Sequence, residues 1–163
     1  EHIFRTTMIA WIIAVGEKAD VQKVLKMCLI HDIAESRTGD IAFMHRDYVI
    51  RHEELAEKHI FKDTLLEKEA RALSKEYAER KSREARIVKD ADNLDVDLEL
   101  RELAKIGDSA AMGMLKDHRP EIREKKLYTE TAKKMWDEIK KTDPNPWHRI
   151  LTGNCVRTRN GAK

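Results

Sequence analysis

The chain has 163 residues, 38% of them charged and only 6% aromatic, with six glycines and three prolines. Its 32 basic residues nearly cancel its 30 acidic ones, leaving a net charge of +2, and no run of like charge or aromatic-basic interleaving marks a nucleic-acid binder. The length suits a single domain over residues 1–163 with a real core, and two cysteines make no disulfide framework, so a reducing cytoplasm is the expected setting.

Residues 1–15 read as a helix that is apolar nearly all round towards its end, hence buried, with Trp11 expected in the core. Its run MIAWIIAV spans eight residues, too short to cross a bilayer, and no small-residue cleavage site follows to mark a signal peptide. The sequence opens at Glu1-His2, already inside a motif, and more chain is expected upstream. Gly16 stops the first helix, and Asp20 is a good N-cap for a second running to about Ala34. Cys28 in that helix should pack as a small hydrophobe. Thr38-Gly39-Asp40 marks a turn. A third helix is expected from Asp47 to about Lys62, and a fourth to about Arg80, capped by Asp63 or Thr64 with the box spacing Thr64…Glu67. Ser82 opens a long helix to Ile106, Gly107-Asp108-Ser109 breaks it, and a short helix follows. Pro120 starts the last one, to about Lys141, with Met135 and Trp136 packed inward. Asp143-Pro144-Asn145-Pro146 ends regular structure. The tail, 142–163, carries Cys155, and Trp147 is expected to latch it to the body. No alternating apolar pattern is long enough for a sheet, so the fold class is an all-α bundle with a helical core over 1–141.

The chemistry gathers on His31-Asp32, which closes the apolar stretch VLKMCLIHD. Imidazole and carboxylate both ligate first-row divalent metals. His2 and Asp92 are the other candidate ligands, and residues so far apart in sequence meet only if packed helices bring them together. Asp92 competes with Asp90, Asp95 and Asp97 in one acid-rich helix, and spacing alone does not choose among them. On a continuous helix Glu35 stacks on both His31 and Asp32, where a carboxylate can act as general acid or base, or orient water, without binding the ion. Asp40 could orient the nucleophile, contact a sugar, or simply form the turn. Arg5 could pair with a phosphate oxygen or with a carboxylate, and Lys89 could help bind phosphate or lie on the surface. His45, His52 and His59 recur every seven residues, about 10.5 Å along a helix and too far apart to share one ion, so they read as a partly exposed stripe.

The order H…HD…D is similar to that of the HD-domain metallohydrolases. Three stretches, Glu1-His2-Ile3-Phe4-Arg5-Thr6, the run from His31 to Asp40 (HDIAESRTGD), and Lys89-Asp90-Ala91-Asp92-Asn93-Leu94-Asp95, resemble the landmarks of the 5'-deoxynucleotidase-like branch of those phosphohydrolases. The likeness covers roughly residues 1–140 and favours Asp92 among the acids. It implies an HD-domain helical bundle with a metal site among its core helices. One divalent ion (Mn, Co, Fe, Ni or Zn) would be held by His2, His31, Asp32 and Asp92. It implies a phosphoric monoester hydrolase that removes the 5'-phosphate of (deoxy)ribonucleoside monophosphates through a metal-activated water, with Glu35 and Asp40 catalytic and Arg5 and Lys89 on the substrate. It also implies a homodimer, for which Met112, Met114 and Leu115 could serve as interface or as core. In that branch an Arg-Trp pair upstream of the first histidine reads phosphate and sugar, and no residue before Glu1 carries it here. Two rivals stand: hydrolysis of another nucleotide, a cyclic diester or an alarmone pyrophosphate, and a metal-containing nucleotide-binding regulatory protein with little turnover.

Overall fold

Side-chain capping marks where four of the helices begin. The computed structural model describes residues 1–144, and among them it contains α-helices, one 3₁₀ helix and no strand. The helices are α1 (His2–Gly16), α2 (Val21–Ile30), α3 (Glu35–Thr38), α4 (Glu53–Phe61), α5 (Glu67–Glu79), α6 (Arg83–Lys105), α7 (Ser109–Asp117), α8 (Ile122–Lys125) and α9 (Glu130–Lys141). The side chains of Asp20, Ser82, Asp108 and Thr129 each accept a hydrogen bond from the backbone N–H three residues on. Each bond satisfies one of the orphan donors of a first helical turn.

Helix α6 is the spine, packing against α1, α2, α5, α7 and α9. Ile87, Val88, Ala91 and Leu94 on α6 join Ile13 and Ala14 of α1, Met27 and Cys28 of α2, Tyr77 of α5 and Trp136 of α9 in one buried cluster. Alanines 10, 14 and 91 are fully buried and let the α1 and α6 backbones approach closely. Each larger aliphatic side chain in the cluster contributes about 1.5–3 kcal/mol by leaving water. Burial drives the Cys28 thiol up to about 12, so it packs as an inert hydrophobe.

Several boundaries differ from the sequence reading. The second helix ends at Ile30, four residues early, because residues 31–36 switch to tighter i→i+3 bonds such as Glu35 N to Asp32 O at 2.9 Å. The expected third helix is a 3₁₀ helix over Phe43–Tyr48, an extended link, and then α4. His45, His52 and His59 therefore sit on three separate pieces rather than one helical stripe. Thr64 does not cap α5. Its hydroxyl donates to Phe61 O, while the Glu67 carboxylate accepts from Asp63 N. The helix expected from Pro120 is divided into α8 and α9, since the buried Asp90 carboxylate draws in the link between them. It accepts from Tyr128 N at 2.7 Å, Thr129 N at 2.8 Å and Thr129 Oγ1 at 2.7 Å. Trp11 is not core: it is 46% exposed, on a face of α1 that also exposes Phe4, Met8, Ile12 and Val15. Met112 and Met114 are exposed as well. Met135 and Trp136 pack inward as expected, and the last helix ends at Lys141. Trp147 and Cys155 lie outside the described residues.

The end of α1 abuts the start of α9. A Cβ on Gly16 would come within 3.0 Å of the Thr131 side chain, so only glycine fits without displacement. Next to it, the Glu17 carboxylate accepts from Thr131 Oγ1 at 2.7 Å and Thr131 N at 3.1 Å, in the first turn of α9 where negative charge is favoured. These bonds, and Arg83 beyond them, hold Glu17 below the ordinary carboxylate range. A folded-state value below the unfolded one means stability that is present above the unfolded value and lost as pH falls through the folded value. Glu17→Gln should therefore cost about 1 kcal/mol at neutral pH, as for a lost helix cap. Thermal melts should show the gap between variant and parent narrowing as pH is lowered from 7 towards 4.

Candidate functional site

Three elements meet at the site. His2 lies at the start of α1, His31 and Asp32 follow directly on α2, and Asp92 projects from the middle of α6. One ligand atom each from His2, His31 and Asp92 lies within 4.8 Å of the others. Asp32 Oδ2 is 3.3 Å from His2 Nε2 and 3.1 Å from His31 Nε2, and Asp92 Oδ1 is 3.6 Å from His2 Nε2. The four residues singled out as ligands thus converge, with His31 and Asp32 just beyond the end of α2 and their partners on α1 and α6.

Both imidazoles are oriented for coordination through Nε2. His31 Nδ1 is 2.8 Å from Cys28 O, an acceptor only, so Nδ1 carries the proton. His31 Nε2 is buried and makes no hydrogen bond, although Asp32 is near. An orphaned buried nitrogen is costly unless something else fills its lone pair. His2 Nδ1 donates to Asp95 Oδ2 at 2.6 Å, the carboxylate–imidazole arrangement that supports metal-bound histidines. Three carboxylates, those of Asp32, Asp92 and Asp95, surround two imidazoles. Hydrogen bonds to Asp32 and Asp95 raise His2 to about 10. Burial works against the Asp32 anion, but His2 and His31 beside it hold it well below the usual range. This donor set attracts a cation and fits a divalent ion with mixed nitrogen and oxygen ligands.

The four aspartates of α6 have four different roles. Asp92 faces the histidines, Asp95 supports His2, Asp90 holds the α8–α9 link, and Asp97 accepts from Arg119 and Trp136. Asp95 is a site residue that sequence reasoning missed as a participant, as are Arg46, Arg51 and Arg80 in the neighbouring cleft. The signal for Asp95 was present in the helical spacing from Asp92, but only the partner identifies its role. Asp95→Asn should lower metal affinity by about 10–100-fold, the usual cost of losing an outer partner of a ligand. Calorimetric titration of the stripped protein with Mn or Co checks this.

A cleft of about 650 Å³ opens beside the cluster, bordered by Glu35, Asp40, Arg46, Arg51, Arg80 and Lys89 along with His2, His31, Asp32 and Asp92. Glu35 starts α3 rather than continuing α2, yet it still borders the cleft. Its carboxylate accepts from Arg51 Nη1 at 3.1 Å, and burial followed by the charges of Asp32 and Asp40 pushes it above the ordinary range. Asp40 is exposed at the cleft edge, after the Gly39 turn. Lys89 Nζ lies 2.6 Å from Asp92 Oδ2, so it is tied to a candidate ligand while bordering the cleft. Arg5 does not border it. Its guanidinium pairs with Asp95 at 2.7 Å and with Glu99, the carboxylate alternative of the sequence reading.

The sequence profile of the HD domain matches residues 1–142. The chain belongs to the HD-domain family. HD domains bind divalent metal ions, in keeping with the His/Asp cluster described above. The HD-domain chain is 32% identical to the 5'-deoxynucleotidase HDDC2 of Danio rerio over 111 residues, 65% of this chain and 55% of that protein. It is 32% identical to the 5'-deoxynucleotidase HDDC2 of Dictyostelium discoideum over 100 residues, 55% of this chain and 50% of that one. The chain thus spans about half the length of the curated relatives it matches. Among solved structures it resembles a protein of Pyrococcus horikoshii OT3 (TM-score 0.67, 29% identity, 85% of this chain and 79% of the other). A second likeness is to a conserved hypothetical protein of Pyrococcus furiosus (TM-score 0.64, 26% identity, 86% and 81%). No helix among the described residues is long and apolar enough to cross a membrane.

Proposed function

We propose that this HD-domain protein is a metal-dependent phosphomonoesterase acting on nucleoside 5'-monophosphates. The observation that carries the reading is the convergence of His2, His31, Asp32 and Asp92 at the end of a cleft whose walls hold four cationic side chains. The names of the two eukaryotic relatives support the choice of substrate class.

His2, His31, Asp32 and Asp92 would hold one divalent ion, which acidifies water and offsets phosphoryl charge when bound. Phosphoryl transfer asks mainly for positioning and charge stabilisation, so the chain needs no nucleophile of its own. His31 keeps its proton on Nδ1, donated to Cys28 O, and His2 keeps its own on Nδ1, donated to Asp95, leaving both Nε2 atoms to ligate the ion. Glu35, at the cleft wall and raised above the ordinary carboxylate range, can hold a proton and pass it to the departing 5'-oxygen, or steer the attacking water. Asp40, exposed at the cleft edge, would orient the nucleophile or contact the sugar. Lys89 offsets charge on Asp92 and borders the cleft in which the phosphate would sit.

The test is a product assay on metal-stripped protein resupplied with Mn, Co, Fe, Ni, Zn or Mg. Deoxy- and ribonucleoside 5'-monophosphates are offered beside cyclic nucleotides and an alarmone. Nucleoside plus phosphate, released only with metal, is the expected result. Hydrolysis of only the diester or only the pyrophosphate would replace this reading with one of its rivals. Tight nucleotide binding without turnover under every metal would make the protein a binding module.

A further inference from the structure

The four cations of the cleft fall into two kinds. Lys89 is bound to Asp92, and Arg51 donates to Glu35 and pairs with Glu53 at 2.8 Å, so both spend their charge on neighbouring carboxylates. Arg46 and Arg80 have no carboxylate partner among the described residues. Arg46 Nε donates to Ile41 O at 3.2 Å, leaving both terminal nitrogens uncommitted. Arg80 donates through Nη1 to Tyr77 O, and its guanidinium carbon lies 3.3 Å from the centre of the Tyr77 ring. That ring stands edge-on to His31, with centroids 5.4 Å apart. Arg80 is thus held one aromatic ring away from a candidate ligand, half-buried and with its orientation fixed.

The backbone at Arg80 adds a second clue. It ends α5 in the left-handed conformation (φ 54°), the position where glycine or asparagine is usual. Arg80 presents a planar fork, stacked on Tyr77, to the cleft. Stacked guanidinium is the side chain best matched to two oxygens of one phosphate, and a fixed fork loses little freedom on binding.

We infer that Arg80 and Arg46 form the anion-recognition wall of the cleft, taking the phosphate oxygens that face away from the His/Asp cluster and so favouring a dianionic monoester over a singly charged diester. This deepens the phosphomonoesterase reading and rests on it for substrate identity, but not for phosphate binding itself. Arg80→Asn suits the left-handed backbone and removes the fork, Arg80→Lys keeps charge without the fork, and Arg46→Gln removes the second cation. Inorganic phosphate is titrated into each Mn-loaded protein by calorimetry, with metal content and thermal melting measured alongside. Where a monophosphate is turned over, its KM and kcat are measured too.

The expected result is phosphate affinity reduced tenfold or more in Arg80→Asn and Arg46→Gln, an intermediate loss in Arg80→Lys, and unchanged metal content. KM should rise more than kcat falls. Unchanged phosphate affinity in folded, metal-replete variants would overturn the inference, as would a parent protein that binds no phosphate. Should Arg80→Asn fail to fold, Arg80→Lys and Arg46→Gln decide. A parent that binds phosphate through these arginines but hydrolyses no nucleotide would sink the proposed function and leave this inference standing.

Discussion

Replacing His31 with alanine is expected to abolish metal-dependent phosphate release, by well over 100-fold, while leaving the protein folded. The magnitude follows from position. Losing an outer partner of a metal ligand costs about 10–100-fold, and His31 is itself a candidate ligand whose Nε2 has no other bond to make. Its Nδ1 bond to Cys28 O only fixes the ring, and the ring contacts with Tyr77 and His2 are the packing the variant gives up. Metal analysis and phosphate release on the same preparation check the claim. Retained metal and retained turnover would remove His31 from the site. Lost turnover together with a collapsed melting transition would make it structural.

The largest stability effect is expected at Arg119. Asp97 is 1% exposed in the side chain and held from two directions. Arg119 donates through Nε to Oδ1 at 3.0 Å and through Nη2 to Oδ2 at 3.0 Å, while Trp136 Nε1 donates to Oδ2 at 3.1 Å. Arg119 also reaches Asn93 O at 2.7 Å, so one guanidinium ties the segment between α7 and α8 to the spine helix. Such a pair adds little over a well-packed apolar substitute, but removing one partner strands the other charge. Arg119→Met should therefore cost about 3–5 kcal/mol. Denaturant unfolding would read it directly. The double variant Arg119→Met with Asp97→Leu should recover much of the loss, since no charge is then left unpaired; no recovery would mean that the Asn93 and Trp136 bonds matter more than the ion pair.

What the sequence disclosed and withheld divides along physical lines. Local signals are readable: Asp20 and Ser82 open the helices expected of them, the Gly107-Asp108-Ser109 break falls where expected, with Asp108 also capping α7, and Lys141 ends the last helix. Tertiary competition is not. Asp90 splits the helix expected from Pro120 because the strongest claim on Thr129 comes from a carboxylate 39 positions away. Trp11 reads as core because an uncharged helix end looks buried, but periodicity does not reveal whether a neighbour covers each face. At the site, the letters H, HD and D named the converging residues, and the chain order matched the fold. The letters did not show that α2 stops at Ile30, leaving His31-Asp32 beyond the helix. Nor did they show that Asp95 supports His2, that Arg5 is engaged by carboxylates, or that Arg46 and Arg80 reach the cleft, since each depends on partners brought in by packing.

The most direct test of the central claim, that one divalent ion held by His2, His31, Asp32 and Asp92 drives phosphate release, is a titration of the stripped protein with Mn or Co while hydrolysis of a nucleoside 5'-monophosphate is followed. Activity should rise in proportion to added ion and level off at one ion per chain. Activity that is full without metal, or that appears only after a second ion is bound, would contradict it.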